Sequence, residues 1–238
     1  MQKNTFRFLA LIFTLQVVLP GTARLAEAQE ANAPYPAMAP VNRYLEPDDA
    51  SEIALARTAA PPSISGAAEV MVLGPKGYTT AAKGSNGFLC LVERSWGAAT
   101  NEAEFWNPKV RAPICFNPAA ARTFVPIFLM KTKLVLAGKS KAEIAPAIAS
   151  ALDRKELPSL EAGAMCYMMS KQQYLNDRGK SWHPHVMIFV PGDATESWGA
   201  NLTASPVIAA NDPEERVTIM MILADKWSDG TPGPQAMH

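Results

Sequence analysis

Charge is what this sequence has least of. Lys and Arg number 22, Asp and Glu 22, and together they make up 18% of 238 residues, against about 25% in ordinary soluble domains. That balance excludes a strongly basic nucleic-acid binder and an acidic solvating tail. The bases are also scattered. The pairs Lys131/Lys133, Lys139/Lys141 and Arg154/Lys155 are read as solvated helix surfaces. Histidine is scarcer still, with three residues, one of them the last in the chain. No G-x-S-x-G elbow, S-x-x-K, H-E-x-x-H, Walker loop, G-x-G-x-x-G or C-x-x-C occurs. The commonest hydrolase, phosphate-cradling, dinucleotide and redox signatures are therefore missing. What remains is apolar: 48% hydrophobic residues with 20 prolines, enough to bury a core and many turns.

The one long apolar run lies at the N-terminus. Lys3 and Arg7 precede Phe8 to Leu19, Pro20-Gly21 breaks the run, and Ala26-Glu27-Ala28 offers the small residues a signal peptidase reads. This predicts a secretory signal peptide over residues 1–28, cleaved near Ala28. The run falls short of the ~20 apolar residues a spanning helix needs, so no stable membrane span is expected after processing. The expected mature chain has 19 bases and 21 acids, which again argues against nucleic acid as partner. The predicted location is secreted or periplasmic.

Three cysteines survive such processing: Cys90, Cys115 and Cys166. In an oxidising compartment two can pair. Cys90 with Cys115 is the predicted pair, closing a stretch rich in Pro, Trp and Asn that lacks periodicity. Cys166, inside the apolar run Met165 to Met169, is read as a buried hydrophobe-like thiol.

Residues 29–46, rich in Pro and Ala, predict a flexible lead-in, and residues 231–238 a flexible tail. Between them, residues 47–230 are expected to form one α+β domain. Asp48 or Asp49 caps a short helix through Arg57. The runs Glu69–Leu73, Tyr78–Ala82 and Phe88–Glu93, separated by Gly-rich turns, predict a three-stranded antiparallel meander. Thr123 is placed as the cap of an apolar helix ending at Gly138, and Ser140-x-x-Glu143 is a capping box for a second helix that Pro146 should kink. Four further strands are expected at Ala164–Ser170, His185–Val190, Pro206–Ala209 and Val217–Ala224, the last of them central. The expected sheet is antiparallel with helices on one face. Its element order is like that of PAS-like or profilin-like sensor folds, an analogy that does not give function.

Two constellations stand out. In Trp182-His183-Pro184-His185-Val186-Met187, an extended backbone projects residues 183, 185 and 187 from one side. Two imidazoles with a thioether suit copper, and imidazoles with a carboxylate suit zinc. The opposite side, with Val186, Ile188 and Val190, is expected to face the core. The second constellation is Trp96, Trp182 and Trp198, which follow serines and are candidates to line a groove for a planar ligand. Glu102/Glu104 and Glu214/Glu215 are read as solvated turns, and Asn201-Leu202-Thr203 as a glycosylation sequon. The sequence thus predicts an exported, non-catalytic domain that binds a small ligand or a protein partner. Its alternatives are a metal-dependent exported enzyme and a copper-handling protein, both built on His183 and His185.

Overall fold

The computed structural model describes residues 34–234. The expected signal peptide and residues 235–238 of the expected tail lie outside them. Eight strands join one sheet: β1 (Glu69–Gly74), β2 (Gly77–Ala82), β3 (Leu89–Glu93), β4 (Ala112–Phe116), β5 (Met165–Met168), β6 (His185–Pro191), β7 (Val207–Asp212) and β8 (Val217–Leu223). Their order across the sheet is β2-β1-β3-β4-β5-β6-β8-β7. All neighbours are antiparallel except β1 and β3, which run parallel.

That parallel pair replaces the expected meander. β2 folds back on β1, but β3 then docks on the other edge of β1, so the chain must cross over the start of that strand. Gly84 is the crossing point. A Cβ there would lie 2.1 Å from the Glu69 backbone nitrogen, so only glycine lets the two backbones approach this closely. Ser85 N–H donates to Ala67 C=O and Glu69 N–H to Phe88 C=O, each at 2.8 Å. Gly84–Gly87 is therefore a crossover loop and not a hairpin turn.

Helices cover both faces of the β1–β5 half, where the sequence predicted one. Helix α1 (Asp49–Arg57), N-capped by the Asp48 side chain on Ser51 N–H, packs with short α2 (Pro62–Ser65) over Val70, Cys90, Val92 and Cys115. On the opposite face α3 (Pro118–Thr123), α4 (Val125–Leu136) and α5 (Lys141–Asp153) cover Leu91, Ile114 and Phe116. The period of two in β3 and β4 is what feeds these two cores. Thr123 ends α3 and does not cap α4; Asn117 caps α3 through Ala120 N–H. Gly138, at φ +76°, closes α4 with paired bonds from Gly138 to Val135 and from Lys139 to Leu134, the two-bond glycine ending of a helix. The Ser140/Glu143 capping box opens α5, which runs on through Pro146. Pro146 and Ala142 are both exposed, so water can take the carbonyl bond that the proline cannot supply.

Strand β4 lies inside the stretch the sequence left irregular. It is buried along its length, and it puts Cys115 directly opposite Cys90 with Cα atoms 4.0 Å apart. The pair is at disulfide distance, as expected, but it clasps two neighbouring strands instead of stapling a loop. The lead-in also differs from expectation over its described part. Tyr44 is fully buried and donates to Trp106 C=O, while Tyr35 and Met38 lie against the main core. Residues 231–234 are tied back by a Lys226–Pro232 bridge and a Gly233 N–H bond to Asp225 C=O. Among the described residues no helix is long and apolar enough to cross a membrane.

Candidate functional site

Strand β3 ends at Glu93 with Arg94 just beyond it, and the extended backbone sends the two charges to opposite faces. Arg94 falls on the α1 side, fully buried. Its Nη2 meets Glu52 Oε2 at 2.9 Å, its Nε donates to Tyr44 C=O at 2.6 Å, and its Nη1 to Val92 C=O. Glu93 follows Leu89 and Leu91 onto the other face, where its carboxyl makes no hydrogen bond or ion pair with any described residue. Burial pushes that carboxyl up to about 8, and the nearby Glu215 carboxylate adds to the rise while Lys131 opposes it.

Lys131 is not free to neutralise Glu93. It is buried on α4, paired with Glu215 and bonded to Ala98 C=O. Burial disfavours its charge, but the Glu215 carboxylate together with Asp212 and Glu214 outweighs that cost and holds the ammonium above its ordinary range. Two sequence expectations fall here. Lys131 is no solvated surface residue, and Glu215, 7% exposed, is no solvated turn. Glu214 likewise is engaged, accepting from the Thr100 hydroxyl at 2.6 Å. The physical reason is that the turn before β8 folds over the α4 side of the sheet and encloses one base with its acids.

Glu93 lines a cavity of about 250 Å³ whose walls include Ile114, Met168, Met187 and Phe189. Ser95 lines it too; that residue is 3% exposed and its Oγ has no hydrogen-bond partner. A second cavity of about 450 Å³ carries Glu102, Glu104, Asp212, Glu214 and Glu215. The two share Gly97, Ala98, Glu104, Phe124, Leu175 and Ile219, so they form one cleft with an apolar end and an acidic end. Gly97 leaves room for the acid: a Cβ there would sit 2.9 Å from Glu93 Oε2. Leu175 comes from the β5–β6 connection, which is held to the body by the Arg111–Tyr174 backbone bridge and a Lys109–Asp177 ion pair at 3.0 Å. A separate groove of about 300 Å³ beside residues 36–38 has no carboxylate in its lining.

The residues singled out in the sequence are dispersed around this cleft. Met187 lines it; His183 and His185 do not. His185 is 3% exposed, opens β6 opposite Met168 and Leu223, and shares a 2.8 Å bond between Nδ1 and His183 C=O. Burial lowers its pKa, so a neutral ring donates through Nδ1 and keeps Nε2 as an acceptor. Trp182 meets both imidazoles edge-on, 6.0 Å from His183 and 4.8 Å from His185. No group of three or more His, Cys, Asp or Glu able to hold a metal occurs among the described residues. The faces of β6 are also reversed from expectation. Met187 and Phe189 join the main core, and Ile188 and Val190 pack on a smaller cluster with Ala194, Ala200 and Met220.

Trp96 is fully buried with its indole N–H on the Thr132 hydroxyl at 3.0 Å, which removes it as a ligand contact. Trp198 is 43% exposed, away from the cleft lining. Asn201 of the sequon bonds Ala209 on edge strand β7 through both amide atoms. Cys166 is buried, and burial raises its thiol pKa well above the ordinary value, which suits a core residue and not a nucleophile. The chain matches no protein-family description, no curated protein and no solved structure.

The sequence reading missed Glu93, Ser95 and Lys131. Glu93 carried one signal: it continues the Leu89, Leu91 face, so a carboxylate stands where alternation demands an apolar residue.

Proposed function

We propose that the protein is an exported, non-catalytic binding protein that holds a small ligand with an apolar body in the cleft between β3, β6, β8 and the Leu175 connection. The half-buried Glu93 carboxyl, unpartnered among the described residues in a cavity walled mainly by apolar side chains such as Ile114, Met168, Met187 and Phe189, carries this reading. Burying an ionisable group without a partner costs free energy, and a concave apolar site with a few convergent polar groups is the usual form of a small-molecule site. The cross-strand cysteine pair and the Phe8–Leu19 run support export, since disulfides persist in oxidising compartments. A metal-dependent or copper-handling role for His183, His185 and Met187 has less support, because Met187 turns into the core while Trp182 packs against both imidazoles.

The test uses N-phenyl-1-naphthylamine, a fluorophore neutral at pH 7 that brightens in apolar sites. The chain is expected to bind it saturably, and Leu175→Trp, which fills the space common to both cavities, to abolish the signal with little change in melting temperature. Saturable binding that survives Leu175→Trp would place the ligand elsewhere and overturn the reading.

A further inference from the structure

We propose that the ligand of this cleft is a small organic cation, a protonated amine whose ammonium pairs with Glu93 and whose apolar body lies along Met187, Phe189 and Ile219. This rests on the binding reading above and adds the chemical class. The charge inventory is mostly acidic, with Arg94 the one base in the lining. Glu93, Glu102, Glu104, Asp212, Glu214 and Glu215 line the two cavities. The bases are engaged: Arg94, which lines the first cavity, with Glu52, and nearby Lys131 with Glu215. A carboxylate ligand would add a negative charge to this excess, and a neutral one would leave Glu93 unpaired. An ammonium neutralises it, and Ser95, whose Oγ has no partner, lines the same cavity and offers a second acceptor. The rings of Phe124 and Phe189, stacked with centroids 3.9 Å apart, add aromatic surface of the kind that attracts cations.

Proton linkage gives this proposal its signature. The groups that act on Glu93 are Glu215 from the turn before β8 and Lys131 from α4; Glu93 in turn raises the Cys166 thiol of β5 and the Tyr78 hydroxyl of β2. With its carboxyl near pH 8, Glu93 is mostly protonated at pH 7 and mostly ionised at pH 9. An ammonium binds the ionised form, and an alkylamine stays charged over that range. Its affinity therefore rises about tenfold from pH 7 to pH 9.

Calorimetric titration of the purified chain with 4-phenylbutylamine, 4-phenyl-1-butanol and 5-phenylpentanoate tests the class. The amine is expected to bind tightest and to tighten about tenfold over those two pH units. Glu93→Gln should remove both the preference and the pH slope. Gly97→Ala, whose methyl displaces the Glu93 carboxyl, should weaken the amine and spare the alcohol. Equal binding of alcohol and amine, or an amine affinity flat from pH 7 to pH 9, overturns the cation and leaves the cleft reading standing. If none of the three binds the inference falls, and if the naphthylamine also fails the binding reading falls with it.

Discussion

Glu93 and Arg94 are neighbours in sequence and opposites in circumstance. Arg94 has a carboxylate and two carbonyls for partners; Glu93 has none. Breaking a buried pair leaves a lone charge in the interior, so Arg94→Met, which strands Glu52, should cost about 3–5 kcal/mol in urea unfolding. Glu93 behaves in the reverse sense. Its folded pKa near 8 stands above the ordinary 4.5, so the folded state binds the proton more tightly than the unfolded chain. Stability is fully present below about pH 4.5 and declines as pH rises toward 8, by at most about 1.4 kcal/mol per pH unit. Glu52 and Glu215, also raised by burial, act in the same direction. Glu93→Gln should therefore flatten the fall in melting temperature between pH 5 and pH 8; an unchanged slope would mean that Glu93 is solvated in the folded protein.

At the scale of elements, the clasp between β3 and β4 fixes the middle of the sheet. Cys90 and Cys115 are separated by 25 residues, and a closure of that length contributes about 3–4 kcal/mol in the loop-entropy model. Cys166 cannot exchange with them. β5 pairs Cys166 with Phe116 and Tyr167 with Cys115, so the third thiol points to the other face of the sheet. Thiol titration should find no reactive group in the native chain and one after unfolding without reductant; two or three would disprove the pairing. Helix ends were legible because their signals are local: Asp48, the Ser140/Glu143 box and Gly138 each act within a turn. Strand β4 was not, because Pro113 interrupts its pattern and its neighbours are remote in sequence. Nor was the crossover at Gly84, since a Gly-rich turn reads the same whether the next strand docks beside the last or beyond it.

For the whole molecule, the sequence specified an α+β chain with an antiparallel sheet, which the parallel β1–β3 pair makes mixed, and left the site hidden. Two expectations drew attention to β6 from the wrong side, because Val186, Ile188 and Val190 are apolar enough to suggest the core. The main core instead takes Met187 and Phe189, and the cleft is closed by residues far apart in the chain: Glu93, Leu175 and Glu215. Only packing brings these together, so no short motif announces them. Methionine methyl groups report on that cleft directly. Met168 and Met187 line it, while Met220 sits in the cluster on the other face and Met38 beside the N-terminal segment. In a methyl-labelled NMR titration with N-phenyl-1-naphthylamine, the account predicts saturable shifts at Met168 and Met187 with Met220 and Met38 unmoved. Shifts at Met220 or Met38 alone, or none at Met168 and Met187, would contradict it.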